Sequence, residues 1–304
     1  MATDSTKVTA TRMAERVPVA SDGGSRERAF RYLNVAFMAL LVLVMIIPFV
    51  NVLAVAFSSS ITSMKPGIKL WPTDWSVEGF RTVWVNVGLQ RAFINSVIVT
   101  SIGTFLHVTL AAFAGYVLIQ RNLPGKRLMI MLILATMAIP GELIMIPLFI
   151  VNRELGLLNT LAALVFSGLV SGFSIILLRN FFQSVPYDLW ESAKIDGAGD
   201  FHIFRTIYLP LSKAGIATVA LFELVSRWNQ FLAVILYISD SSKYTLQVAL
   251  QALVTENMGT SGTAMVTPNV RMAGIVIAIL PLIILYPVMQ RYFVQGITLG
   301  SVKE

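Results

Sequence analysis

Two clusters of residues in this sequence have types and spacings that suit recognition or coupling. One is the run Ser184–Ser212 (SVPYDLWESAKIDGAGDFHIFRTIYLPLS), which combines acids, two glycines and apolar residues at helical spacing. The other is Glu223, Arg227, Trp228 and Asn229, an acid and a base four residues apart, then an aromatic ring and an amide. Glu142, just after Pro140-Gly141 and five residues before Pro147, is a third acid in an apolar setting. What the chain lacks narrows the chemistry further. It has no cysteine, so disulfides, thiolate metal sites and cysteine nucleophiles are excluded. Its two histidines, His107 and His202, lie far apart in sequence, so no metal site is expected. No G-x-x-x-x-G-K-[S/T] occurs, since Gly125-Lys126 continues into Arg127 and lacks the upstream glycine. No catalytic cluster is visible, and an enzyme is not expected.

The elements that position these residues follow from composition. The chain has 304 residues, 56% of them hydrophobic and only 13% charged, and its mean hydropathy is +0.75. Soluble domains carry roughly 25% charged residues, so this chain has too little charge to coat a water-facing surface. Six stretches are apolar over the roughly 20 residues that a bilayer crossing needs: about 31–57, 94–119, 128–151, 160–182, 214–237 and 272–293. They are too long for β-barrel strands and show no period-two alternation. The expected fold is all-α, a polytopic membrane protein with six transmembrane helices. Its expected organisation is a mobile tail (1–29), a first transmembrane helix (30–57), an extracytoplasmic loop (58–89), a core of five helices (90–293) and a C-terminal tail (294–304). Ala54-Val55-Ala56 imitates a signal-peptidase site, but the polar and apolar stretches before it are both too long for a secretory signal, and cleavage is not expected.

The basic residues set the orientation. The net charge of +7 could suggest nucleic acid, but the cations are distributed as a topology signal instead. With the N-terminus inside, 15 of the 23 Lys and Arg side chains fall on the inner side, and both termini are expected to be cytoplasmic. The run over 184–212 then lies on the inner surface.

That run reads as two short helices about a glycine elbow. Pro186 suits a helix start, with Asp188 and Glu191 near the positive end of the helix dipole. Gly197 and Gly199 end the first arm, and Gly197 is expected to take positive φ. Asp200 is the expected N-cap of a second arm whose apolar residues are Phe201, Phe204, Ile207 and Tyr208, and Pro210 closes it. Two readings fit these residues: an amphipathic connector lying on the bilayer, or a knob that docks a soluble partner.

The spacing of Glu191, Ala193, Gly197, Ile207, Leu209 and Pro210 resembles the permease signature of ATP-binding-cassette importers, with Ser192 standing where the family has alanine. A chance match at six such positions is on the order of one in a thousand. The segment Ile139–Thr160, the run Ala111–Gly115 and the tail from Gly296 resemble the MalG-like carbohydrate-uptake group, a resemblance that covers about residues 35–304. It implies the type I importer permease fold, with the 184–212 run as a cytoplasmic helix–turn–helix coupling loop. It also implies a bacterial inner-membrane location and half of a translocation pathway for a carbohydrate, with an oligosaccharide as the expected cargo. The implied partners are a second homologous permease, two ATPase subunits that carry ATP and Mg, an extracytoplasmic solute-binding protein and the surrounding lipid. No cofactor on this chain and no nucleic acid are implied. The C-terminal tail is expected to reach the ATPases and the loop Gln251–Pro268 to probe the binding protein. A different small polar cargo is an alternative. An ion-coupled carrier is another, but it predicts symmetric halves, and no internal repeat is apparent.

Charges within the spans are the remaining candidates, since at mid-bilayer each costs about 2.5–3.5 kcal/mol unless it faces protein or water. Glu223 and Arg227 can pair on one helix face. With Glu142, Trp228 and Asn229 they are candidate translocation-path residues, or else an intrahelical pair that serves packing. His107 is expected to be a hydrogen-bonded packing residue. Ala111/Gly115 and Gly168/Gly172 are expected to allow close helix contact.

Overall fold

Proline and glycine decide where the long helices of this chain run on and where they break. The computed structural model describes the backbone over 25–255 and 266–301 and the side chains over 28–255 and 266–287. In chain order the main helices are α1 (Ser25–Ala56), α2 (Leu89–Val117), α3 (Lys126–Met137), α4 (Gly141–Glu154), α5 (Leu161–Phe166) and α6 (Gly172–Gln183). They continue as α7 (Tyr187–Ile195), α8 (Asp200–Leu211), α9 (Lys213–Trp228), α10 (Leu232–Tyr237), α11 (Leu246–Thr255) and α12 (Pro268–Ser301). Most of the expected tail over 1–29 lies outside the described residues, and α1 already begins at Ser25. The last three residues, where the tail was expected to reach a partner, also lie outside them, as do 256–265 of the Gln251–Pro268 loop.

The chain divides into two units, 1–50 and 51–304. In the first, α1 exposes apolar side chains such as Phe37, Leu40 and Leu43, the surface of a helix made for an apolar surround. Among the described residues, α1, α2 and α12 are each long and apolar enough to cross a bilayer.

Within the second unit, three of the expected continuous spans are each built from two helices. Over 128–151, α3 and α4 meet at 100°. Pro140 has no N–H to continue α3 and biases Ile139 away from helical geometry, whereas Pro147 sits inside α4. Over 160–182, α5 stops at an extended Ser167, Gly168 turns with φ +71, and the Ser171 hydroxyl caps α6 by accepting the Ser174 N–H at 3.2 Å. Over 214–237, α9 ends at Trp228 and α10 resumes at Leu232.

Helix α2 is the central post, packing against α5, α6 and α9, while α9 also packs on α12. Glycines let these helices approach. A Cβ at Gly115 would lie 3.0 Å from the Arg179 nitrogen on α6, and one at Gly172 would lie 2.9 Å from the Ile133 carbonyl oxygen on α3. Gly168 serves as a turn and not as a packing residue, with nothing within 4 Å of its added Cβ.

At the start of α2 the polar residues form a latch. The Asn95 amide donates to the Ser242 and Tyr244 carbonyls, and the Ser96 hydroxyl accepts the Leu246 N–H at 2.8 Å. Asn159, at φ 59, accepts the N–H groups of Ser239 and Asp240 on its side-chain oxygen. The Asp240 carboxyl is held below the usual carboxylate range, first by hydrogen bonds from Ser242. Helix α11 occupies part of what the sequence suggests is a loop, and it buries Leu246, Leu250 and Leu253.

Gly172→Val forces a branched side chain against the α3 backbone. The expected cost is about 1–3 kcal/mol, seen as a lower thermal midpoint of the detergent-solubilised protein. A wild-type midpoint would mean that α3 and α6 do not pack as described.

Candidate functional site

The 184–212 loop has one arm anchored and one arm presented. Its first arm, α7, is N-capped by Pro186 and ends in a Schellman arrangement: the Gly197 N–H donates to the Lys194 carbonyl at 3.1 Å, and the Ala198 N–H donates to the Ala193 carbonyl at 2.9 Å. Gly197 has φ +80, the left-handed geometry that this closure requires, with open space around it. Ser192 fits at the family's alanine position because its hydroxyl donates back to the Asp188 carbonyl at 2.8 Å. Gly199, not Asp200, takes the N-cap position of α8; Asp200 sits in the first turn and pairs with Lys194 at 2.9 Å. A glycine free to adopt extended backbone at the elbow outcompetes the side-chain cap.

The second arm is bolted to the bundle by aromatic rings. Phe204 and Tyr208 are buried, Tyr116 of α2 lies 5.0 Å from each ring centroid, and Phe182 of α6 packs edge-on to both. Ile207 and Leu209 pack on the same cluster, as does Ala193 from the first arm. Phe201 is mostly exposed and stacks on Phe113. Pro210 does not stop the helix. The turn Phe204–Tyr208 widens so that the Leu209 N–H bonds to the Phe204 carbonyl, and the chain bends by 81° at Ser212 instead.

The outer surface of α7 remains available. Glu191 is exposed and meets Arg121 at 3.5 Å, a pair too solvated to contribute much. Arg121 also lies over the Tyr187 ring. Ile195 is 86% exposed and Leu189 41%, so the face that carries Asp188 and Glu191 also presents bare apolar side chains.

The second cluster is inside the bundle. Arg227 is buried, and its Nε donates to the Glu223 carboxylate one turn earlier. Its Nη1 donates to the carbonyls of Leu164 (3.1 Å) and Val165 (3.2 Å), and its Nη2 to that of Gly168 (3.1 Å). These carbonyls are the ones freed where α5 breaks, so the guanidinium replaces the missing helical donors. His107 is fully buried, with Nδ1 3.2 Å from the Gly168 carbonyl and 3.4 Å from the Glu223 carboxylate. Both neighbours only accept, so Nδ1 carries a proton, and Nε2 lies 2.8 Å from the Ser174 hydroxyl. Gly103 makes this possible, because a Cβ there would fall 2.6 Å from Arg227 Cζ. The cluster lines a cavity of about 250 Å³.

The structure brings together two of the five path residues inferred from sequence, Glu223 and Arg227. Trp228 turns the other way: its ring N–H donates to the Ala278 carbonyl of α12 at 3.1 Å, and Phe93 packs edge-on against it. Asn229 lies on a separate cavity of about 290 Å³, where its oxygen accepts from the Gln247 amide at 3.4 Å. Glu142 is exposed on the first turn of α4. Sequence reasoning missed Gly103 and the way His107 joins the cluster. A glycine at 103, mid-helix, was the one available signal. Among the described residues no metal-holding group of three or more His, Asp or Glu gathers.

These features describe a helical protein whose long apolar helices suit a membrane. Residues 107–299 match the family described as binding-protein-dependent transport system inner membrane component, and the chain belongs to that family. It is thus an importer permease, as the Glu191–Pro210 spacing implies. It is 36% identical to the polygalacturonan/rhamnogalacturonan transport system permease protein YtcP of Bacillus subtilis, over 91% of this chain and 99% of the relative. It is 30% identical to the diacetylchitobiose uptake system permease protein NgcG of Streptomyces coelicolor, over 94% and 93% of the two chains. Among solved structures it is similar to a chain of a bacterial ABC transporter that imports the acidic polysaccharide alginate. The TM-score is 0.82 and the identity 27%, with 90% of this chain and 99% of that one covered.

Removing one partner of the buried pair exposes its role. Arg227→Met strands three carbonyls and the Glu223 carboxylate, at an expected cost of about 3–5 kcal/mol. Adding Glu223→Leu should recover part of that. The thermal midpoints of the two single variants and the double variant in detergent measure this, and a double variant less stable than either single one would contradict the pairing.

Proposed function

We propose that this chain forms half of the translocation pathway of an ATP-driven carbohydrate importer. Six spans cross the membrane with both termini cytoplasmic: α1, α2, the pair α3–α4, the pair α5–α6, the pair α9–α10, and α12. The excess of Lys and Arg on the inner side supports this orientation. The remaining subunits are a second homologous permease, two ATPases that bind ATP and Mg, and a solute-binding protein outside. Oligosaccharide cargo is supported by the relatives, whose names specify pectic polymers and diacetylchitobiose.

The observation that carries the proposal is the asymmetry of the coupling loop. Of the six signature positions, Ala193, Ile207 and Leu209 face the bundle, Gly197 forms the turn and Pro210 lies exposed on the second arm, which leaves Glu191 on the presented arm. A rigidly anchored helix that exposes Ile195, Leu189 and two acids suits a groove with apolar walls and cationic groups. ATP-driven closure of the ATPases would move that arm, and the anchored arm would pass the movement to α2 and α6 through the aromatic cluster.

Gly197→Val forces a branched residue into positive φ, a strain of about 1–2 kcal/mol at the elbow. Glu191→Lys reverses the charge on the presented face. Both proteins are expected to reach the membrane at near-normal levels, lose co-purifying ATPase subunits, and transport at a rate lower by about tenfold or more. Wild-type ATPase retention and transport by both variants in reconstituted vesicles would refute the docking role.

A further inference from the structure

The buried cluster has a consequence for the kind of cargo this chain can hold. The 250 Å³ cavity shares Ser167, Gly168, Val170, Ser171 and Gln230 with a neighbouring cavity of about 530 Å³, which is walled by Phe173, Tyr237 and the bend between α3 and α4. The larger volume lies within the roughly 300–1,000 Å³ of small-molecule sites. Among the described residues, Glu223 and Arg227 are the only charged ones lining either cavity. The guanidinium gives four of its five N–H donors to Glu223 and to the carbonyls of Leu164, Val165 and Gly168. One donor remains, which cannot make the paired bonds by which arginine grips a carboxylate, and Glu223 already balances the charge. An acidic sugar would therefore meet a carboxylate and no available cation.

The uncommitted polar groups are uncharged. Among the described residues Gln230 Oε1 finds no hydrogen-bond partner, an unmet acceptor on a side chain that lines the cavity. Gln230 lines both cavities, and Ser226 lines the smaller one beside it. An amide offers both a donor and an acceptor, and a hydroxyl does the same, which matches the hydroxyls of a sugar ring. The exposed ring of Phe173 supplies a surface for the ring's apolar face.

We infer that this pair of cavities is a cargo subsite for an uncharged glycosyl unit, read by Gln230 and Ser226, and that Glu223 and Arg227 are positioning residues that hold its wall and do not touch cargo. The inference rests on the proposed role of the chain in a carbohydrate pathway. The test uses the complete transporter in nanodiscs, without the binding protein, whose own selectivity would mask the site. Equilibrium binding is measured for a panel of neutral and uronic-acid oligosaccharides two to four units long. Neutral members are expected to bind more tightly than uronic ones of equal length. Gln230→Ala should weaken neutral binding about three- to tenfold, and Ser226→Ala about threefold, with the thermal midpoint unchanged. Uronic members that bind as well as neutral ones, or unchanged affinity in Gln230→Ala, would overturn the subsite. Transport with the binding protein restored separates the two readings. If oligosaccharide is transported while Gln230→Ala binds normally, the subsite alone is wrong; if no oligosaccharide of either kind is transported, the carbohydrate pathway falls with it.

Discussion

A guanidinium with almost no exposure inside an apolar helix bundle must be satisfied by protein, and in this chain that requirement organises the centre of the molecule. Arg227 is held by the Glu223 carboxylate and by three carbonyls left open where α5 ends. Each side solves the other's problem: the broken helix has acceptors without donors, and the arginine has donors without water. Glycine at 103 clears the space on α2, and His107 extends the network to Ser174 on α6. Four helices, α2, α5, α6 and α9, therefore meet at one polar knot. Its net charge is balanced, so it can persist in a low-dielectric setting where either ion alone could not.

The same logic of paired local needs shapes the loop over 184–212. Its Schellman closure fixes the angle between the two arms, and the aromatic stack of Tyr116, Phe182, Phe204 and Tyr208 fixes the second arm to α2 and α6. The second arm is thereby held against α2, the helix that also carries Gly103 and His107. Breaks at 138–140, 167–171 and 229–231 interrupt three spans, and all three border the cavity that Gln230 lines. In the membrane interior such irregular backbone is tolerated where protein or a wet cavity serves its polar groups, and here Arg227 and Ser171 do so at the second break.

Much was legible in the sequence because it depends on local rules. Six apolar stretches, the positive φ at Gly197, the break at Pro140 and the Glu223–Arg227 pair follow from length, backbone sterics and helical periodicity. The order of Glu191, Gly197, Leu209 and Pro210 also carried the family, since these residues lie close together on one elbow. Other readings needed the tertiary structure. Ser167, Gly168 and Ser171 look like small residues within one apolar span, yet together they form a turn and a cap. Trp228 and Arg227 are adjacent in sequence but face different neighbours, because successive residues on a helix point about 100° apart. Helix α11 reads as part of a loop until Leu246, Leu250 and Leu253 are seen to share a buried face.

The helical, apolar permease and its glycine elbow at 197–199 are legible in local sequence, because hydrophobic length and turn chemistry act over a few residues at a time. Only the tertiary structure decided what the buried charges do. Whether Arg227 faces cargo or caps a broken helix depends on where residues 164–168 lie in space, more than fifty positions away, and on whether Gly103 leaves room for the guanidinium. Those distances are set by helix packing, which no local pattern encodes.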